Sequence, residues 1–332
     1  MNMNPSVSKT SLSDTSTLQK EAFYKDVLAG LQSSSKYLES KYFYDANGDQ
    51  LFRELMNCTE YYLTNCELEI FSKKTAELSA AITDGGDSFD LIELGAGDAL
   101  KSTYLLNYLL EQEADFNYLP IDISSNVISN LTNNLPDALP NLQIMGLNGE
   151  YFDMLSEATS LSSRRKAVLF LGSNIGNMPI SAVLEFCKEL RKHLSTGDKV
   201  LIGMDLKKNP KTILAAYNDK GGITKRFNLN LLERMNRELH ADFDVNRFDH
   251  YAMYDPENGS CKSYLISLVD QMVHINGQDY IHFLKDEQIY MEISQKFTLS
   301  QIEQIARDTG FKPLHHFFDS KGWFVDTIWI AD

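Results

Sequence analysis

The apolar run Asp90-Leu91-Ile92-Glu93-Leu94 ends in Gly95-Ala96-Gly97-Asp98, and apolar positions then recur at helical spacing through Tyr104, Leu105, Leu109 and Leu110. This pattern predicts a buried strand, a tight turn and a helix. Further apolar runs at Asn117–Ile123, Leu142–Leu147, Ala167–Leu171 and Lys199–Leu206 are separated by helical segments, one of them marked by Leu184, Cys187, Leu190 and Leu194. Strands that alternate with helices predict a parallel sheet covered on both faces, a doubly wound α/β core.

The pattern differs on either side of this core. Phe23, Val27, Leu28 and Leu31 predict an amphipathic helix between Leu18 and about Leu38, and an aromatic block follows from Lys41 to Phe52. That block reads either as a packed helical cap or as a lid over a ligand. Beyond Lys207, helical stretches at Ala215–Asp219 and Leu229–Leu239 give way to short β-like segments at Phe248–Tyr254, Lys262–Asp270, Gln271–Ile275, Tyr280–Phe283 and Gln288–Gln295. These predict an antiparallel insertion. Thr298 with Gln301 forms a capping box, Gly310 stops that helix, and Phe311–Phe318 with Gly322–Ala331 predicts a terminal antiparallel pair. The expected division is a flexible tail over 1–17, a smaller α+β substrate domain from 18–75 and 209–295, and a core from 76–208 and 296–332.

Composition narrows the function. A chain of 332 residues with a net charge of −15 lacks the basic clustering that phosphate contacts need, so a small-molecule partner is expected and nucleic acid is not. The four cysteines are scattered and the seven histidines show no ligand spacing, so no metal is expected and a reduced, cytoplasmic compartment fits. No run approaches the roughly 18 apolar residues of a membrane span. A monomer is one state open to the chain.

The candidate chemistry lies at strand ends, where open α/β sheets build ligand sites. Gly95 and Gly97 let a cofactor approach the backbone. Asp122, at the end of the second strand, is placed either to accept from ribose hydroxyls or to cap the next helix. Glu150 and Tyr151 follow the third strand as a candidate adenine contact or a surface turn. The fourth strand ends in Gly172-Ser173-Asn174-Ile175-Gly176-Asn177. Along Ile289–Ser294, alternation puts Tyr290, Glu292 and Ser294 on one face, which is either solvated or a two-point clamp for a ring with two nitrogens.

Tyr42-Phe43-Tyr44-Asp45, Glu60-Tyr61-Tyr62, Glu93–Gly97 with Lys101, Leu171–Asn177 and Glu292-Ile293-Ser294 occur together in one order. In this the chain, from about Lys20 to its end, resembles the histidine-specific S-adenosylmethionine-dependent methyltransferases of ergothioneine synthesis. The resemblance implies a Rossmann-like class I methyltransferase core finished by the terminal strand pair. It also implies methyl transfer from S-adenosylmethionine to the α-amino group of L-histidine, with S-adenosylhomocysteine as the second product. Gly95, Lys101, Asp122, Glu150, Tyr151 and Tyr44 match cofactor positions. Asn177 and Tyr217 match residues that hold the substrate carboxylate, Tyr61 one near the amine, and Glu292 with Ser294 the pair that reads the imidazole. Asn174, Thr59, Leu63 and the region of Ser263 depart from the common pattern. The alternatives are a family member acting on another amine such as a tryptophan derivative, a nicotinamide dehydrogenase and a non-catalytic binding protein. Leu100, standing where a third glycine would be, disfavours the dehydrogenase.

Overall fold

A computed structural model describes residues 12–83 and 88–332. The first apolar run forms β1 (Phe89–Leu94), buried at every position, and the later runs form β2 (Phe116–Asp122), β3 (Leu147–Asn148), β4 (Arg165–Phe170) and β5 (Lys199–Asp205). Then come β6 (Phe248–Tyr254), β7 (Ser260–Ser267), β8 (Gln271–Ile275), β9 (Asp279–Phe283), β10 (Gln288–Gln295), β11 (Phe311–Phe318) and β12 (Phe324–Ala331).

The described chain divides into two compact units. One takes Tyr62–Ile213, Tyr254–Cys261 and Ile293–Asp332, and its seven-stranded sheet has the order β11-β12-β5-β4-β1-β2-β3. The first five strands pair in parallel, while β12 runs antiparallel to both β5 and β11. Strand order reverses between β1 and β4, which leaves a crevice beyond their carboxyl ends where such sheets bind ligands. Ile92, Leu94, Val168, Phe170, Val200, Ile202 and Trp329 belong to a continuous core that also takes in Ile302 and Ile305 from the helix Leu299–Asp308. That helix carries the expected capping box.

The other unit takes the residues up to Tyr61, Leu214–Met253 and Lys262–Glu292. It has a separate core in which Phe23, Val27, Leu31, Phe43 and Leu51 pack with Phe227, Leu231, Met235, Val273, Phe283, Ile289 and Met291. Strands β10-β7-β6 form one small sheet and β8-β9 another.

Several boundaries differ from the sequence reading. The first helix runs Leu12–Leu31, so residues 12–17 of the expected tail are helical, and residues 1–11 lie outside the described residues. Helices Leu63–Lys73 and Thr75–Thr83 fall in the sheet-bearing unit, so that unit begins at Tyr62 and not at residue 76. Ile70 and Phe71 are fully buried there, and periodicity alone does not say which core an apolar face will join. The third strand shrinks to Leu147–Asn148. Just upstream of it the predicted strand pairs with β2 through the isolated bridge between Tyr118 and Ile144, because an edge segment has a partner on one side alone.

At the amino ends of the central strands, Lys166 on β4 donates to Asp90 on β1 at 2.9 Å, and Asn117 on β2 donates to the same carboxylate at 2.9 Å. Burial would raise the Asp90 pKa, but the hydrogen bonds from Ser162, Lys166 and Asn117 hold it below the usual carboxylate range. Removing one partner of a buried pair strands the other charge. Lys166→Met is therefore expected to cost about 3–5 kcal/mol, read as a lower urea midpoint at unchanged slope.

Glu93 is a second buried carboxyl, held by the Tyr118 hydroxyl at 2.5 Å. Burial pushes it up to about 7 from an ordinary 4.5. A folded value above the unfolded one means a contribution fully present below about 4.5 and lost as pH rises through about 7. Comparing stabilities at pH 5 and pH 8, Glu93→Gln should lose less than the parent by about 2.5 kcal/mol; equal losses would show that Glu93 does not titrate in this range.

Candidate active site

Beyond β1, the turn is tied to β2 by two bonds to the Ile121 carbonyl, from Gly95 N at 2.8 Å and Ala96 N at 3.2 Å. Gly95 has φ +72°, and a Cβ there would lie 2.8 Å from the Tyr151 hydroxyl. Glycine is required on both counts. At Gly97, with φ +55°, a Cβ would meet nothing within 4 Å, so the turn faces open space. Asp122 Oδ2 accepts from Gly97 N at 3.2 Å and Oδ1 from Ser124 N at 2.9 Å, so its carboxylate ties the glycine turn to the end of β2. The helix cap itself is the Ser124 hydroxyl, which accepts from Val127 N.

Glu150 is the exposed N-cap residue of the helix Tyr151–Ser160, and its side chain makes no capping bond. The Tyr151 ring stands edge-on to Phe170 at 5.8 Å. Burial, with Asp122 and Glu150 nearby, pushes the Tyr151 phenol up to about 12, so it remains a neutral donor. Open backbone at Gly97, a carboxylate at Asp122 and an aromatic beside Gly95 suit a nucleoside with ribose hydroxyls and a flat base.

Across the crevice, Gly172 follows β4, and its N–H is held by both Glu67 oxygens, at 2.8 and 2.9 Å. Glu67, only 1% exposed, also pairs with Lys101. Burial works to lower the Lys101 pKa, but the Glu67 carboxylate outweighs it and keeps the amine charged. Asp326 is the third member: burial and the Glu67 charge raise it well above its usual range, so it is held neutral. A charged amine beside an exposed glycine turn is a suitable partner for the amino acid end of S-adenosylmethionine. The donor set therefore fits that cofactor.

The Asn174–Asn177 turn starts from Ser173 in the left-handed region and leaves Asn177 exposed. Gly176 presses on the last residue of β10, where a Cβ would be 2.9 Å from the Gln295 carbonyl. This seats the Asn177 turn one residue from Ser294. Ser294 Oγ accepts from Lys296 Nζ at 2.7 Å, and Lys296 pairs with Asp205 Oδ2 at 2.7 Å. Tyr62 donates to the same Asp205 oxygen at 2.7 Å, and Lys208 binds the other.

Along β10, Ile289 and Met291 are buried while Tyr290 and Glu292 are partly open, but the alternation ends there: Ile293, Ser294 and Gln295, which belong to the sheet-bearing unit, are all buried, so Ser294 does not share the open face of Glu292. The Tyr61 ring stands edge-on to Tyr217 at 6.2 Å and to Phe52 at 6.4 Å. Within the aromatic block, Phe43 is core and packs on Phe227 at 4.8 Å, whereas Tyr44 is exposed with its ring edge-on to Phe52 and Phe227. The block is thus mainly packing, with Tyr44 and Tyr61 at its open margin.

Sequence reading missed Glu67, Asp205, Lys296 and Asp326. A signal existed for Lys296, since positions 292, 294 and 296 share one side of an extended chain. Among the described residues no His, Cys, Asp and Glu cluster could hold a metal, and no helix is long and apolar enough to cross a membrane.

The family model for S-adenosylmethionine-dependent, histidine-specific methyltransferases matches residues 23–331. The histidine N-alpha-methyltransferase of Mycolicibacterium smegmatis is 33% identical over 92% of this chain and 93% of its own. That of Mycobacterium tuberculosis is 31% identical over 91% and 93%. The 4-dimethylallyltryptophan N-methyltransferase of Trichophyton verrucosum is 26% identical over 69% and 68%. The chain belongs to the histidine-specific, S-adenosylmethionine-dependent methyltransferases.

Proposed function

We propose that this enzyme methylates the α-amino group of L-histidine, repeating the transfer as far as the trimethylated betaine. The observation that carries this reading is the extent of the family match: residues 23–331 take in both compact units, with Glu292 and Ser294 inside them. In this reading Gly95, Gly97, Lys101, Asp122, Glu150, Tyr151, Gly172 and Tyr44 hold the cofactor. S-Adenosylmethionine supplies a methyl group on a sulfonium centre, and the amine lone pair displaces S-adenosylhomocysteine.

The protein's part is chiefly positioning. Asn177 and Tyr217 hold the substrate carboxylate through an amide and a phenol. Glu292 and Ser294 offer an acceptor and a hydroxyl to the imidazole. An amino acid α-amine has a reference pKa of about 8, so much of it is protonated at neutral pH. Tyr61 takes the role of proton relay at the amine. The two-nitrogen match of Glu292 and Ser294 favours histidine over a tryptophan derivative, whose indole has one N–H and no ring acceptor. The net charge of −15 supports a small-molecule enzyme and not a nucleic-acid binder, and the scattered cysteines support a cytoplasmic one.

Two variants test the reading. Glu292→Ala should weaken L-histidine binding to the S-adenosylhomocysteine complex by at least about tenfold in calorimetry, since a charge-assisted bond is lost, with cofactor affinity unchanged. Retained histidine affinity would remove Glu292 from the site. Tyr61→Phe should lower kcat by about 10²-fold, the scale of one acid–base group, and leave cofactor affinity within a factor of about two. Undiminished turnover would exclude the Tyr61 relay.

A further inference from the structure

Gly203 stands inside β5, paired with Asp326 on β12, a place where glycine weakens a strand. The space of its missing side chain is taken: a Cβ there would overlap Glu67 Oε1 and lie 3.1 Å from Asp326 Oδ1. Two carboxyl groups thus share one seat against the sheet, Glu67 from the helix Leu63–Lys73 and Asp326 from β12. Both are buried, at 1% and 0% exposure.

Their partners differ. Glu67 takes the Gly172 N–H and the Lys101 amine. Neither Asp326 oxygen meets a hydrogen-bond donor among the described residues. A buried carboxylate left in that state is strongly disfavoured, whereas a carboxylic acid has a hydrogen to give, and the Glu67 oxygen beside it accepts. Two carboxyls in one seat cannot both ionise cheaply. The charges acting on Asp326 are the Glu67 carboxylate, which raises its pKa, and the Lys101 ammonium, which lowers it. Its strand partners Gly203 and Phe317 carry none, and Glu93 acts on Lys101 from β1.

We infer that Glu67 and Asp326 are paired positioning residues that hold one proton between them, so that Lys101 faces a single negative charge and keeps its own charge for the carboxylate of S-adenosylmethionine. The inference rests on the assignment of Lys101 to the cofactor. Lys101 Nζ lies 3.5 Å from where a Cβ on Gly172 would be, at the mouth of the crevice. With two ionised carboxyls the cluster would be net negative and repel an arriving carboxylate. With none, burial would favour the neutral amine, which holds a carboxylate poorly.

Either carboxyl alone can carry the charge, and this makes the sharing testable. In Asp326→Asn, Glu67 stays ionised against Lys101. In Glu67→Gln, Asp326 gives up its proton and takes over that role. Infrared spectroscopy of the ligand-free protein at about pH 9 detects protonated carboxyls by their acid carbonyl band, and Glu93, lifted only to about 7, is ionised there. The expected result is a band in the parent that disappears in both single variants. No band in the parent overturns the inference. So does a band that survives in Asp326→Asn, which places the proton elsewhere, or in Glu67→Gln, which shows that burial alone protonates Asp326.

Calorimetric titration with S-adenosylhomocysteine supplies the second readout. Each single variant should bind within about threefold of the parent. Glu67→Gln/Asp326→Asn leaves Lys101 without this counter-charge and should bind at least about tenfold more weakly than the two single effects combined predict. Additive losses, or a loss of about tenfold in Asp326→Asn alone, overturn the inference, and the second of these is read even where the double variant does not fold. Failure of the parent to bind S-adenosylhomocysteine overturns the cofactor assignment beneath it, while the infrared result, obtained without ligand, is unaffected.

Discussion

Asp205 has no solvent exposure, yet it is ionised, because three donors, Tyr62 and Lys296 from distant parts of the chain and Lys208 from three residues on, converge on its two oxygens. Tyr62 begins the helix Leu63–Lys73, Lys208 lies just past β5, and Lys296 just past β10. A buried charge cluster of this kind adds little net stability, since desolvation offsets most of the attraction. What it fixes is position. The end of β5 is locked to the segment leaving β10, an alignment extended by the Phe297 N–H bond to the Asp205 carbonyl at 3.0 Å. Ser294 lies on that locked segment and Gly176 of the Asn174–Asn177 turn packs against its Gln295, so both are held by the same geometry.

A second buried cluster, at the carboxyl ends of β1 and β4, obeys a related rule with other residues. Glu67 is buried and divides its carboxylate between the Gly172 N–H and the Lys101 amine, while Asp326 stays neutral beside it. The strand-order reversal between β1 and β4 provides the crevice, and the buried carboxylates orient the groups at its mouth. Family membership and this geometry agree. A sulfonium methyl donor asks for positioned backbone, a ribose acceptor and a counter-charge for a carboxylate, and little acid–base machinery.

The central strands were legible because burial on both faces makes them continuous apolar runs, as in Leu91–Leu94 and Ala167–Leu171. The glycine turn and the alternation of β10 were legible for equally local reasons. The polar residues that organise the interior were not. Glu67, Asp205, Lys296 and Asp326 are charged types that a local pattern assigns to solvent, and they become interior only because partners far along the chain neutralise them. The limits of the N-terminal helices were illegible for the same reason: Ile70 and Phe71 announce burial but not the core they join. Tyr44 and Phe43 are neighbours of similar character, and only the packing of Phe227 decides that one is core and the other exposed.

The central claim is chemical: the amine of L-histidine accepts the methyl group, and the imidazole is what the site recognises. Mass spectrometry of products formed from each amino acid with isotopically labelled S-adenosylmethionine tests it most directly. The account predicts label on the α-nitrogen of histidine alone. Label on a ring nitrogen, or methylation of tryptophan in preference to histidine, would contradict it.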